Sequence, residues 1–173
     1  TETEAASDIE DSIQLTQQPE TILKQLEDEK KAKEKTMEEI EKKIDIAKKE
    51  LKANTQQMEE TRQSKAKVHS EKMAALSEIG KLKVSHDKIV FSLTNDTLSS
   101  SEKMAIEAER VEVETKLILA NEVVAYSKTQ MTDFAAKETR LANDRDRYER
   151  EHEDLQSQRK KLREECDLLT AKI

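Results

Sequence analysis

The stretch VFSLTNDTLSSSEKM, residues 90–104, is the one segment of this chain that departs from a continuous pattern of charged helix. Its Thr, Asn, Asp and Ser side chains compete for backbone hydrogen bonds and therefore disfavour the interior of a helix. Ser99 and Glu102 have the spacing of a capping box, which marks the start of a new helix. The stretch predicts a helix break near 94–98, inside a turn region at 94–102.

The composition of the chain excludes an ordinary globular domain. Of the 173 residues, 40% are charged and 2% are aromatic, and Gly80 and Pro19 are the single glycine and proline. A compact core requires large apolar side chains and sharp turns, and both are scarce here. Because the abundant residues are strong helix formers, we expect an all-α protein of long coiled-coil helices rather than a disordered chain.

A heptad repeat begins at Leu23 and continues without a slip to Leu93, which predicts a first coiled-coil helix over 20–93. Apolar side chains that recur every 3.5 residues form a seam along one side of a helix, and a partner helix packs against it. Polar residues interrupt the seam at Asn54, Lys65 and Lys72; such residues cost stability but can specify register and partner. The apolar seam residues include Leu26, Ile40, Ile44, Leu51, Met58, Val68, Ile79 and Leu82.

A second heptad repeat predicts a second coiled-coil helix over 103–173. Its d positions are well formed, but its a positions include the ionisable residues Glu138, Arg145, His152 and Arg159. These residues predict a loose seam over 138–159. The apolar seam residues are Val113, Leu117, Val124, Phe134, Leu141, Tyr148, Leu155, Leu162 and Leu169.

The heptad frames of the two repeats are displaced by three residues relative to each other. A continuous helix would have to absorb this displacement as a local overwinding, whereas a turn removes the constraint. We therefore favour an antiparallel helical hairpin with arms at about 23–93 and 103–173 and a turn at about 94–99. The alternative is a parallel two-stranded coiled-coil homodimer with a break at 94–102.

Two registers of the hairpin satisfy the apolar pattern, because rows with a seven-residue period match again after a shift of one heptad. A fold centred on residue 96 places each a position opposite a d position; its pairs include Ile79–Val113, Met37–Leu155, Asn54–Glu138 and Lys65–Ser127. A fold centred between residues 99 and 100 is nearly as good; its pairs include Leu51–Tyr148, Ile44–Leu155 and Leu82–Leu117. The apolar pattern permits both registers and does not decide between them.

Two basic clusters and the turn are the candidate partner-binding sites. The fold centred on residue 96 brings the two clusters side by side, which is unfavourable because facing like charges repel. A parallel homodimer would keep the clusters apart. The candidate residues are Asn95 and Asp96 in the turn, Lys30, Lys31, Lys33 and Lys35 in the first cluster, and Arg159, Lys160, Lys161 and Arg163 in the second.

The first 22 residues contain acidic side chains but no Lys or Arg. Pro19 favours a helix break or a fresh helix start because it lacks a backbone N–H group. We therefore expect an acidic N-terminal segment over 1–19 that is partly disordered or forms a short helix.

No residue pattern indicates catalysis. Two helices alone provide no water-excluding pocket, and His69, His86 and His152 lack the spacing of metal ligands on one helix. The net charge of −7 argues against nucleic acid as the main partner. We expect no enzyme activity, no catalytic residue, no cofactor, no metal and no small-molecule substrate.

The function suggested by these features is mechanical. The single cysteine, Cys166, cannot form an internal disulfide, which favours a cytoplasmic setting. We expect a structural coiled-coil spacer or scaffold that mediates protein–protein assembly within a larger cytoskeletal, motor-associated or spindle-type protein. Its partners would be other helical proteins or a second copy. The alternatives are a membrane-surface or trafficking adaptor, which would need a continuous basic face, and a segment that folds only with a different helical partner.

Overall fold

The chain folds into two long helices, α1 (Glu2–Ser92) and α2 (Ser100–Lys172), joined by a turn at 93–99. The computed structural model describes the backbone of residues 2–173 and the side chains of residues 18–173, and this part of the chain contains no strand. The helices pack against each other in antiparallel directions. The predicted all-α helical hairpin is therefore confirmed.

Helix α1 includes Pro19, and residues 18–20 on either side of it are helical. The predicted acidic segment 1–19 falls almost entirely on residues whose side chains lie outside the described part, and it stays a prediction. Helix α2 begins at Ser100 rather than at 103, because Ser99 provides the N-cap of the helix.

The heptad seam is the buried surface of both helices. In the first frame, every a and d residue from Leu26 to Leu93 is buried or half-buried, and in the second frame the same holds from Ile106 to Leu169. Leu23 and Ile173, which the repeats placed at the ends of the seam, are exposed. Burial of apolar area along the seam is the main stabilising contribution to such a pair of helices.

Local side-chain hydrogen bonds close the turn. The Asn95 Oδ1 atom accepts hydrogen bonds from the backbone N–H of Thr97 at 3.0 Å and from the Thr97 hydroxyl at 2.7 Å. The Ser99 Oγ atom accepts a hydrogen bond from the backbone N–H of Glu102 at 3.1 Å, as expected of an N-cap. Among the described residues no backbone φ is positive, so the chain reverses direction without glycine. The heptad displacement is absorbed by this turn.

The hairpin divides into two compact units. The terminal unit comprises Thr1–Ala53 with Arg145–Ile173, and the turn unit comprises Asn54–Asp144. The core of the terminal unit includes Ile40, Ile44, Ala47, Cys166 and Leu169. The turn unit contains a cluster of Ile79, Ala120 and Val124, with Ala75 and Leu117 packed against it.

Of the two registers that the sequence allows, the one centred between 99 and 100 describes both units, and the one centred on residue 96 does not form. In the turn unit Ile79 packs with Ala120 rather than with Val113. The contacts Lys33–Glu165 in the terminal unit and His86–Glu114 in the turn unit are centred on residues 99 and 100. Met37 likewise contacts Cys166, with 3.9 Å between the two sulfur atoms, and not Leu155.

Electrostatics explain why the register centred between 99 and 100 forms rather than the one centred on residue 96. In the observed register the lysine cluster at 30–35 lies opposite the acidic run at 164–167, whereas the other register would have placed it opposite the basic cluster at 159–163. Both registers bury equivalent apolar rows, so the repulsion between like charges decides between them.

Candidate protein-interaction surfaces

The first basic cluster is partly engaged in contacts within the terminal unit. The Lys33 Nζ atom donates a hydrogen bond to the Glu165 Oε2 atom at 2.6 Å, across the seam. This hydrogen bond raises the pKa of Lys33 above its ordinary value and lowers the pKa of Glu165. The positive charge of Lys161, one turn before Glu165 on α2, lowers the pKa of Glu165 further. The carboxylate therefore separates positive charges that would otherwise repel each other.

The remaining basic candidates differ in exposure. Lys30 lies 3.9 Å from Glu34 on its own helix and is half-buried, as is Arg159. The other five are exposed and are therefore accessible to an acidic partner: Lys31, Lys35, Lys160, Lys161 and Arg163. Their role in partner binding stays a prediction.

The two candidate residues in the turn also have different surroundings. Asn95 is exposed, but its Oδ1 atom is used to hold Thr97 and thus to shape the turn. Asp96, the next residue, presents an exposed side chain at the end of the hairpin. Of the two, Asp96 is therefore the residue that can be replaced without loss of the hydrogen bonds between Asn95 and Thr97.

A charged cluster in the turn unit crosses the seam at His86. The His86 Nε2 atom lies 3.0 Å from the Glu114 Oε1 atom, and the Arg110 Nε–H group donates to the same oxygen at 3.0 Å. The hydrogen bonds from His86 and Arg110 lower the pKa of Glu114, and the contact with Glu114 raises the pKa of Arg110. The cluster explains how a histidine and an arginine are accommodated at seam positions.

A second ion pair in the turn unit joins two charged seam residues that would not meet in the register centred on residue 96. Lys65 Nζ lies 3.2 Å from Glu138 Oε1, and both side chains remain partly exposed. Lys65 therefore does not face Ser127, and Glu138 does not face Asn54. Each of these corrections follows from the same shift of one heptad.

Asn54 is the most deeply buried amide of the turn unit, with only 4% of its surface exposed. Its Nδ2 atom donates a hydrogen bond to the backbone carbonyl of Leu141 on α2 at 2.9 Å. Its Oδ1 atom is buried and has no hydrogen-bond partner among the described residues. A buried polar group that is only half satisfied costs stability, but its one cross-helix bond favours the register in which it forms.

Two features of the described residues bear on possible chemistry, namely their potential metal ligands and their surface clefts. No three His, Cys, Asp or Glu side chains in this part of the chain are grouped so as to hold a metal ion. The clefts are open grooves beside the seam, such as one of about 400 Å³ in the terminal unit, lined by residues that include Ala47, Glu50 and Leu155. Within residues 18–173, neither helix contains an apolar stretch long enough to cross a membrane.

Comparisons with models of protein families, with curated proteins and with solved structures found no match. The residues that sequence reasoning missed are Glu165 and Glu114, which neutralise cationic side chains at the seam, and several exposed apolar side chains of the turn unit. The seven-residue spacing of Met104, Val111 and Ile118 is the signal that could have found the latter group.

Proposed function

We propose that this chain is a structural element, an antiparallel coiled-coil hairpin that acts as a spacer or scaffold for protein–protein assembly. The observation that carries the proposal is the continuity of the seam: every a and d position from Leu26 to Leu93 and from Ile106 to Leu169 is at least half-buried. Such a seam holds two helices together through the apolar side chains at its a and d positions. The outer surface, which is rich in charge, is left for contacts with other molecules.

The setting that we propose is a cytoplasmic assembly of the cytoskeletal, motor-associated or spindle type, in which coiled-coil arms hold other components at fixed separations. This step is an analogy from architecture. Other helical proteins are the proposed partners, and the turn at Asp96 and the exposed basic residues Lys31 and Lys161 are the proposed contact points.

Photo-cross-linking in cells that contain the full protein tests the proposal. A photoreactive amino acid would replace Asp96, Lys31 or Lys161, one at a time, and the same replacement at Leu82 in the seam would be the control. We expect discrete cross-linked bands with other proteins from at least one exposed position and only internal cross-links from the seam. If no exposed position forms a cross-link to another protein chain, the chain does not serve assembly.

A membrane-surface tether is the alternative function that the lysine-rich cluster suggests. Binding to anionic lipid requires a continuous basic surface. The ion pair between Lys33 and Glu165 reduces the positive charge available for such a surface. Sedimentation with vesicles that contain phosphatidylserine at low salt distinguishes the two functions, because the scaffold proposal expects the protein to stay in the supernatant.

A further inference from the structure

Polar side chains at seam positions are concentrated in one part of the turn unit. Residues 54–72 of α1 and 127–144 of α2, called here the polar section, have eleven a and d positions, and six of these carry polar side chains. The six are Asn54, Thr61, Lys65, Lys72, Ser127 and Glu138. Residues 73–92 and 106–126, called here the apolar section, also have eleven such positions, but only His86 and Arg110 are polar there. Two seams of equal length therefore differ in what they bury.

The polar section buries polar groups in place of aliphatic ones. Asn54, Thr61 and Ser127 are 4%, 2% and 2% exposed, and they are the three buried polar residues of the part of the chain that the structure describes. Burial of apolar area holds such a pair of helices together, and a buried hydroxyl or amide contributes less of it than an aliphatic side chain of similar size. Within the turn unit, the seam is therefore weakest where these residues lie.

Hydrogen bonds across the seam compensate for this loss only in part. The Asn54 Oδ1 atom has no partner among the described residues, although its Nδ2 atom donates to the Leu141 carbonyl. The Lys65 Nζ atom lies 3.2 Å from the Glu138 Oε1 atom, but these two side chains are 38% and 41% exposed. An ion pair that water reaches is screened and contributes little to stability. Neither contact replaces the aliphatic side chains that the section lacks.

Threonine hydroxyls also weaken the helices of the polar section. Those of Thr61, Thr129, Thr132 and Thr139 each donate a hydrogen bond to the backbone carbonyl four residues earlier. Such a bond competes with the helical hydrogen bond to the same carbonyl, and it slightly destabilises and often bends a helix. In the apolar section this bond is made by Thr115 and by a serine at the end of α1. The polar section therefore combines a weak seam with weakened helical turns.

The apolar section, which lies nearer the turn, has a packed core. Ile79, Ala120 and Val124 form a buried cluster, and Ala75 and Leu117 pack against it. The two polar seam residues of this section are both bonded to one carboxylate. The apolar section can therefore hold the two helices aligned while the neighbouring stretch opens.

We propose that the polar section is a built-in opening point of the hairpin: its two helices separate locally and close again while the apolar section stays packed. Local opening requires only that one stretch be less stable than the rest of the unit. Val68 and Leu141, which are 7% and 3% exposed, keep the section closed for most of the time. Because the apolar section maintains the alignment, the polar section closes again in the same register. The hairpin thereby gains a place that yields to strain without unfolding of the whole unit, which a rigid spacer would lack.

Hydrogen–deuterium exchange of the backbone amides, followed by mass spectrometry on the full chain, measures this opening. The rate of each peptide is divided by the intrinsic rate of its sequence. We expect the corrected rates in residues 58–70 and 130–141 to exceed those in residues 76–88 and 110–122 by about tenfold or more, because these amides exchange only when their section opens. Equal rates in the two sections, or faster rates in the apolar section, would overturn the proposal.

The variant Lys72→Leu tests whether the polar seam causes the opening. Lys72 is half-buried at an a position and lies opposite Ser127 in the observed register, so leucine adds apolar burial to a polar pair. We expect exchange in the polar section to slow by about tenfold, with little change in the apolar section. Lys67→Leu is the matched control, because Lys67 is exposed at a c position of the same stretch and the two residue types have similar helix propensities.

Circular dichroism and sedimentation velocity verify that both variants keep the helicity and the oligomeric state of the parent. Slower exchange that is confined to the polar section of Lys72→Leu supports the proposal. The proposal is wrong if Lys72→Leu leaves the exchange rates unchanged, or if Lys67→Leu slows exchange as much.

Discussion

The Nζ atom of Lys33 on α1 lies 2.6 Å from the Oε2 atom of Glu165 on α2, across the seam of the terminal unit. A register shifted by one heptad would place Lys33 opposite the basic cluster at 159–163 instead of the acidic run at 164–167. The contact therefore identifies the register. Reversing the charge of one partner should lower stability, and reversing the charges of both should restore most of it.

Charge reversal at this pair should be destabilising singly and compensated in combination. Lys33→Glu and Glu165→Lys each oppose like charges, and we expect each to lower the melting temperature measured by circular dichroism at low salt. The double variant should recover most of the loss, because it restores opposite charges. Lys31→Glu, at an exposed position in the same cluster, is the control. A double variant no more stable than the singles would contradict this role.

The same pair predicts a dependence of stability on pH. The pKa of Glu165 is lowered in the folded protein by the hydrogen bond from Lys33, relative to an ordinary value of 4.5. The ionised carboxylate therefore stabilises the fold above pH 4.5, and this contribution is lost as the pH falls through the lower folded pKa.

The comparison of the parent chain with Glu165→Gln isolates this effect. At pH 7 the parent should be more resistant to urea than the variant, and the difference should shrink below pH 4.5. A difference in stability that is constant from pH 7 to pH 3 would show that the ion pair does not contribute through the charge of Glu165.

Asn54→Leu should raise the stability of the hairpin and weaken its preference for a single register. The substitution removes a buried Oδ1 atom without a hydrogen-bond partner, which costs about 1–3 kcal/mol, together with the bond to the Leu141 carbonyl. We expect a higher urea midpoint and a broader choice of registers, since a buried Asn in a coiled coil fixes alignment.

The distance between spin labels at Lys31→Cys and Lys161→Cys reports the register. Both positions lie in the terminal unit, and the labelled chain also carries Cys166→Ala. The parent should give one distance, and the Asn54→Leu variant should give a wider distribution. A single unchanged distance in the variant would mean that the charge pattern alone sets the alignment.

The N-cap of α2 should make a measurable contribution to stability. Ser99→Ala removes the acceptor for the backbone N–H of Glu102, and such a loss costs about 1 kcal/mol. Ser101→Ala, inside the first turn of α2, should be neutral or slightly stabilising because alanine is the better helix former. Urea denaturation measures both, and equal effects would argue against a capping role for Ser99.

The turn and the seam could be predicted from the sequence because each has a local physical cause. Ser99 and Glu102 combine capping chemistry with a run of residues that disfavour helix, and the heptad repeat identifies the buried face residue by residue. The break in frame between the repeats then requires a turn. These features depend only on neighbours along the chain.

The register could not be fixed from the apolar pattern, because rows with a seven-residue period fit equally well after a shift of seven. The information that decides it was nevertheless present in the sequence: Glu164 and Glu165 directly follow the second basic cluster and oppose the first when the fold is centred near residue 100. Matching charge before matching hydrophobicity would have selected the observed register.

The hydrogen bond from Asn54 to the carbonyl of Leu141 could not be predicted from the sequence, for a different reason. Every residue has a carbonyl, so an amide side chain carries no indication of which one it will meet. The exposure of Asp96, Lys31 and Lys161 agrees with their choice as binding residues, but exposure is common to most charged residues of a helix pair. Their role in partner binding stays a prediction.

Because the two helices are aligned about a fixed centre, a change in the length of one helix must be matched by a change in the other. Removing residues from one helix alone would offset every facing pair beyond the cut, including the charges that select the alignment. Removing 58–64 from α1 together with 135–141 from α2 would keep all other pairs intact and shorten the hairpin by about 10 Å. Viable homologues and designed variants should therefore differ in length by seven-residue steps that are matched in the two helices.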